Sequence, residues 1–378
     1  MANTALHMLM VAQEQALPEP KVEVIASAAA FSELCSDWNA LVGRSDDQIF
    51  YRHEFIATWL NHFATGQWRI LILREASGRL VAALPLLHGW ARLHGLPLRQ
   101  LRGAANLHSG RFDLIADQPE QASAAFIDYL SQQHDWDVLI LTELPGHGRA
   151  RALEQVAGDR GFPTGRWCAM YSPCRKLPAS WAELEGQLST RFRANLRRRR
   201  RGLAMLGRIR TERCSNSIEL VEAGFALELR GWKGRAGTAM AQDGDTFGFY
   251  TDLARVLSAT GQLALWALYL DERLIAFQFG LEHRGSYALL KPAYDESLAR
   301  YSPGQLLMAE VLRDAIARHL TQFEFLGEDM PWKQDWQPDT LAQDWLFIFR
   351  RSTNGRMLQA LKFGLLPRLR RIKRSLYR

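Results

Sequence analysis

The residues best suited to chemistry lie in AYDESLARYSPGQLL, where Arg300 precedes Tyr301, Ser302, Pro303, Gly304 and Gln305. Ser302 can cap a helix, Pro303 suits its first position, and Gly304 lets a ligand approach the backbone. Unpaired amides and the dipole at such an N-terminus attract anions, and Arg300 adds a positive charge beside them. The same residues also serve an ordinary capped helix. A second group follows strand-like Phe323–Leu326: the adjacent acids Glu328 and Asp329, then Trp332 and Lys333. A carboxylate can take a proton from a reacting amine, and a lysine can hold an anion, yet both are as readily solvated turn residues. A third is the run Arg191–Arg201 in STRFRANLRRRRRGL, with Phe192, Leu196 and Leu203 at helical spacing among the arginines. It is either a solvated helix face with one apolar stripe or a surface for a phosphate-rich ligand or RNA.

These groups need a scaffold, and the chain repeats one. RILILREASGRLVAALPLLHG from Arg69 and LWALYLDERLIAFQFGLEH from Leu265 each read as strand, tight polar turn and strand. In both halves a helical pattern follows (122–133; 305–319) and then a short strand (137–141; 322–326). Pro163, Pro173 and Pro178 cluster around strand-like 166–171 between the halves. The expected class is α/β (α+β), with residues 1–20 a loose N-terminus, 21–177 and 178–350 two lobes of similar plan, and 351–378 a basic tail. Helical patterns also cover 181–188 and 218–229.

Composition narrows the function. A chain of 378 residues, 47% hydrophobic and 23% charged, can bury a core in about two domains. No run reaches the roughly 18 apolar residues of a membrane span, and the opening segment lacks a secretory pattern, so a cytoplasmic protein is expected. Cys35, Cys168, Cys174 and Cys214 show no zinc-type spacing and are expected as reduced thiols. The net charge is +7, but ten bases and no acids occur from Arg350 onward, which leaves the remainder at −3. A body of that charge argues against a general nucleic-acid footprint. In the tail, Leu358, Leu361, Leu365, Leu369, Ile372 and Leu376 recur every three or four residues among the bases. Such a stripe either touches an anionic membrane surface or docks on the protein itself.

Taken together, FRANLRRRRRGL, RGWKGRAGTAM, LALWALYLDERLIAFQFGLEHRGSYALLKPAYDESLARYSPGQLLMAEVL and FEFLGEDMPWKQDW resemble the GNAT superfamily, in its Fem-like or BioF2-like branch with CelD-type proteins associated with cellulose biosynthesis. The resemblance covers most of the chain, best over 188–349. It implies tandem GNAT-like lobes, each a mixed, mostly antiparallel sheet flanked by helices, with two splayed strands holding the pantetheine arm of acyl-CoA. It also implies direct acyl transfer, acetyl foremost, to a small-molecule or envelope-polysaccharide-related amine, with no metal. Some Fem-like relatives use aminoacyl-tRNA instead, and a non-catalytic polysaccharide-biosynthesis accessory protein would share the fold.

By this resemblance the pyrophosphate loop falls on Arg300, Tyr301, Ser302, Pro303, Gly304 and Gln305, although the superfamily's Q/R-x-x-G-x-G/A pattern is not met. Backbone amides of Lys291, Pro292 and Ala293 fall in the segment that polarises the thioester carbonyl, Pro292 itself lacking an N–H. Tyr294 is the nearest phenol for the leaving thiolate. Glu328 and Asp329 are the candidate bases, and Lys333 a ligand for an acidic acceptor or a CoA phosphate. Trp332 and Lys333 replace the Tyr-Lys of many relatives. Trp232, Lys233 and Thr238 fall in a glycine-rich loop expected at the acceptor pocket. The first half has no comparable turn. HSGRFDL (108–114) reads as loop into strand, in a degenerate lobe expected to shape the acceptor site.

Overall fold

Both apolar hairpins form where the pattern of strand, polar turn and strand places them. In the computed structural model, which describes residues 21–93, 95–235, 237 and 242–365, the first hairpin is β2 (Trp68–Arg74) and β3 (Leu80–Leu93), after β1 (Val22–Ile25). The first half continues with β4 (Leu96–Gly103), β5 (Ile115–Ala116), β6 (Val138–Pro145) and β7 (Thr164–Lys176). In the second half come β8 (Ile209–Cys214), the hairpin β9 (Leu263–Leu270) and β10 (Arg273–His283), then β11 (Ser286–Tyr294), β12 (Gln322–Glu324) and β13 (Asp339–Phe349). Helices of the first half are α1 (Ala28–Glu33), α2 (Cys35–Arg44), α3 (His53–Phe63), α4 (Pro119–Gln132) and α5 (Ala150–Asp159). Those of the second are α6 (Trp181–Gln187), α7 (Thr190–Ala204), α8 (Ile218–Leu229), α9 (Trp232–Arg235), α10 (Gly244–Ala259), α11 (Pro303–Ala317), α12 (Pro331–Gln334) and α13 (Thr353–Gln359).

The strands join in one sheet of order β1-β2-β3-β4-β6-β13-β7-β12-β11-β10-β9-β8, with β5 beside β3. Two lobes of the same plan are visible in it, β1-β2-β3-β4-β6 and β8-β9-β10-β11-β12. Each contains a single parallel pair, β4 with β6 and β11 with β12. The halves exchange their last strands. β7 pairs with β12, and β13 runs antiparallel to both β7 and β6. The expected boundary near residue 177 falls just after β7, so the strand that precedes it borders the second-lobe sheet.

One apolar core covers a sheet face across both lobes, from Phe31, Trp38 and Leu84 to Phe249, Phe277 and Ile348. It is continuous because α3 and α10 face each other, with Phe55 and Phe249 edge to face at 5.8 Å. A second core lies under α7 and α11, with Phe192, Leu203, Leu307, Phe323 and Trp336. Ser189 caps α7 by accepting the Phe192 N–H at 3.2 Å, and the helix buries Phe192 and Leu203, the expected apolar stripe. A third, smaller core holds Val138, Phe347, Phe349 and Leu358.

The described part of the tail packs on the body. Leu358 is buried, and Gln359 donates to the Thr164 carbonyl at 3.1 Å. Residues 366–378, with Leu369, Ile372 and Leu376, lie outside the described residues. No described helix is long and apolar enough to cross a membrane.

Candidate functional site

The turn that precedes α11 is built differently from its sequence pattern. Glu296–Tyr301 form a 3-10 turn, and Ser302 follows in the left-handed region at φ 47°. Ser302 occupies the cap position of α11, yet its side chain accepts no amide hydrogen bond. The left-handed backbone turns its hydroxyl back to the Ala299 carbonyl at 3.4 Å. This corrects the expected side-chain cap. The Ser302 carbonyl accepts the N–H groups of Gln305 and Leu306 at 3.0 and 3.1 Å, whereas among the described residues the Gly304 N–H makes no backbone bond outside the helix. Pro303 holds the first helical position. Exposed Arg300 lies 4.6 Å over the Tyr301 ring, and a Cβ on Gly304 would stand 3.6 Å from Tyr294.

β11 leads into this turn from the splay. Its parallel pairing with β12 spans only Ser286–Ala288 against Gln322–Glu324, so among the described residues that edge of β11 has no strand partner from Leu289 to Tyr294. A bulge against β10 falls between Phe279 and Gly280, and Leu290 is the unpaired residue. Lys291, Pro292 and Ala293 lie on this stretch. The Lys291 ammonium sits 5.4 Å from the Tyr250 ring. Tyr250 Oη lies 3.2 Å from His108 Nδ1, so lobe one reaches β11 here. Burial, with the Lys291 charge, pushes His108 down to about 3, and at neutral pH its imidazole is uncharged.

On the other side of the splay, Leu326 and Gly327 both take positive φ, 52° and 59°, and turn the chain outward. Exposed Glu328 and Asp329 then line an open cleft of about 450 Å³ with Ala169, Met170 and Tyr171 of β7 and Thr340 of β13. Asp329 Oδ1 accepts a hydrogen bond from Gln334 Nε2. Lys333 is not a solvated lysine: it is 5% exposed, and its Nζ donates to the carbonyls of Leu326 and of Glu328, the latter at 2.7 Å. Burial pulls its pKa down to about 8, against the attraction of Asp329 and Glu328. It clamps the loop that carries the acids. Gln305 is similarly engaged, donating to the Trp332 carbonyl at 2.9 Å and accepting from Trp336 Nε1 at 2.6 Å. Its side chain ties the start of α11 to α12.

The corresponding gap in the first lobe is filled. β4 and β6 pair only over Gln100–Arg102 and Val138–Ile140, and Phe112 occupies the space beyond. A Cβ on Gly103 would stand 2.8 Å from its ring, and the Phe112 N–H donates to the Glu143 carbonyl at 3.0 Å. Glu143 is the counterpart of Gly327, each three residues past the parallel pair of its lobe, and both have φ 59°. Burial raises its carboxyl to about 7. Asp113 holds α5 by accepting the Arg149 and Ala150 N–H groups, each at 2.7 Å. Arg111 forms a buried ion pair with Glu324 of β12, across the lobes. No local signal in HSGRFDL announces these contacts; the one clue is a charged residue, Glu324, inside a short apolar strand.

Trp232 and Lys233 fall on α9, where a loop was expected, and Thr238 lies outside the described residues. Arg235 of α9 pairs with Glu296, which brings this segment to the 3-10 turn. All four cysteines are free, and burial raises Cys174 to about 11, away from nucleophilic use.

Comparison with known proteins agrees with this architecture. Residues 190–334 match the family model of the acetyltransferase (GNAT) domain. No curated protein sequence matches the chain. Among solved structures, FemX aligns with TM-score 0.57 at 11% identity, over 87% of this chain and 98% of that one. The C-terminal domain of a putative lysylphosphatidylglycerol synthetase from Agrobacterium fabrum aligns with TM-score 0.52 at 11% identity, over 89% and 95%. A conserved protein of unknown function from Bacteroides thetaiotaomicron aligns with TM-score 0.50 at 12% identity, over 88% and 99%. The chain thus has a tandem GNAT-like fold, and its residues 190–334 carry the match to the GNAT acetyltransferase domain.

Proposed function

We propose that this protein is an N-acyltransferase that moves an acyl group from acyl-CoA to an amine, with the donor held in the second lobe. The observation that carries this reading is the asymmetry of the two splays. In lobe one Phe112 fills the gap, whereas in lobe two the free edge of β11 leads directly to the turn at Arg300–Gly304. Unpaired backbone there, the Gly304 amide and Arg300 suit a diphosphate. The acceptor approaches from the cleft beside Tyr171, where a carboxylate of Glu328 or Asp329 takes its proton, and Tyr294 serves the leaving thiolate. The acceptor class remains an amine, with an envelope-polysaccharide precursor the CelD-like option, and the site of action is the cytoplasm. An aminoacyl-tRNA donor is the second reading, favoured by the arginines of α7.

Acyl-CoA binding is the direct test. At a hundredfold excess over Kd a ligand selective for the folded state adds about 2.7 kcal/mol, a shift of a few degrees in Tm for a chain of this size. No shift with any of a panel of acyl-CoAs would sink the CoA reading. Gly304→Val then locates the site. The added Cβ meets Tyr294 at ordinary contact distance and the backbone φ is unstrained, so the fold is retained. CoA affinity is expected to fall on the order of tenfold or more, because the branched side chain stands where backbone meets phosphate. Unchanged titration of the variant would move the diphosphate elsewhere.

A further inference from the structure

The seven arginines between Arg191 and Arg201 repel one another on a single helix, where like charges three or four residues apart are destabilising. The protein relieves only part of this. Arg197 lies 3.7 Å from Glu185, Arg200 pairs with Glu310 of α11, and burial raises the carboxyl of Asp335 against the attraction of Arg199. Arg193 donates to Thr190 Oγ1 at 3.2 Å. Arg191, Arg198 and Arg201 are exposed and make no ion pair among the described residues. At 3.6 residues per turn these three fall within about 80° of the helix circumference, over a length of about 15 Å. Gly202 borders this stripe, and a Cβ there would stand 3.0 Å from the Tyr301 ring, which itself carries Arg300 on its face. The unpaired arginines therefore continue the positive surface of the turn outward along α7.

We propose that Arg191, Arg198 and Arg201 bind a further nucleotide phosphate of the donor, beyond the diphosphate at the turn. The inference rests on the donor site of the proposed function and adds to it a subsite on a helix that lies before β8, the first strand of the second lobe. Charge complementarity selects the ligand: three exposed guanidiniums in a row suit phosphate oxygens, whereas the acids nearby neutralise their other neighbours. The chemistry is shared by two sources, the 3′-phosphate of CoA and the terminal phosphodiesters of an aminoacyl-tRNA.

The experiment compares the parent chain with Arg191→Gln/Arg198→Gln/Arg201→Gln, whose exposed positions leave the fold intact, as circular dichroism and Tm will show. Binding of CoA, 3′-dephospho-CoA and tRNA is titrated for both, the last across a salt series. For a CoA donor, the parent prefers CoA to dephospho-CoA, and the variant loses CoA affinity by roughly tenfold while its dephospho-CoA affinity is unchanged. For a tRNA donor, the variant binds more weakly and its salt slope falls by about three. Either result supports the subsite. A variant that binds CoA and tRNA as the parent does overturns the subsite and leaves the donor site standing. A parent that binds none of the three overturns both.

Discussion

Replacing Glu328 by Gln or Asp329 by Asn, one at a time, is expected to lower turnover at neutral pH by about two to four decades for whichever carboxylate takes the proton. Acyl-CoA affinity should survive, and part of the loss should return at high pH, where more of the acceptor amine is already neutral. The geometry favours Glu328. Asp329 is held by Gln334, whereas the Glu328 carboxylate makes no hydrogen bond among the described residues and its own carbonyl is anchored by Lys333. A fixed backbone with an unengaged side chain suits a group that must meet a mobile substrate. The check is steady-state turnover of each variant over a pH series, with acyl-CoA affinity measured separately. If both variants keep full turnover, the base lies elsewhere.

The second large effect concerns stability. Arg111→Met should destabilise the protein by about 3–5 kcal/mol, because it leaves the Glu324 carboxylate buried without its cation. Arg111 is 5% and Glu324 9% exposed, so solvent offers little compensation. The pair joins the loop that fills the first splay to the strand that forms the second, and its loss should loosen the lobes against each other. The double variant Arg111→Met/Glu324→Leu should recover most of the loss, since an apolar pair of similar volume requires no desolvation. Equilibrium denaturation of both variants measures this. A single variant within about 1 kcal/mol of the parent would mean that the pair is not buried as described.

Much of the scaffold was legible because it rests on local periodicity. Short apolar runs joined by a tight polar turn identify β2–β3 and β9–β10, and the 3.6-residue spacing identifies α4, α8 and α11 to within a few residues. β4 is not legible, since PLRQLRG lacks an apolar run and forms a strand by pairing with β3 and β6. Serine before proline carries the signal of a side-chain cap, but Ser302 follows a 3-10 turn in the left-handed region and does not cap. For Lys333 the sequence offers an anion ligand or a solvated lysine, and both require an exposed ammonium. Two backbone carbonyls turned inward by Leu326 and Gly327 reverse that.

By itself, then, the sequence determined the order of hairpin, helix and strand in each half, the doubling of that plan, and the residue types of the turn at Arg300–Gly304. These follow from backbone sterics and from hydrophobic faces that each segment carries alone. Only the tertiary structure decided the exchange of β7 and β13, the filling of the first splay by Phe112, the Arg111–Glu324 pair, and the cleft that brings Tyr171 to Glu328. Each of these joins residues more than about a hundred positions apart in the chain, apart from Phe112 and Glu143. No local propensity encodes such contacts; burial and the satisfaction of buried polar groups select them when the lobes pack.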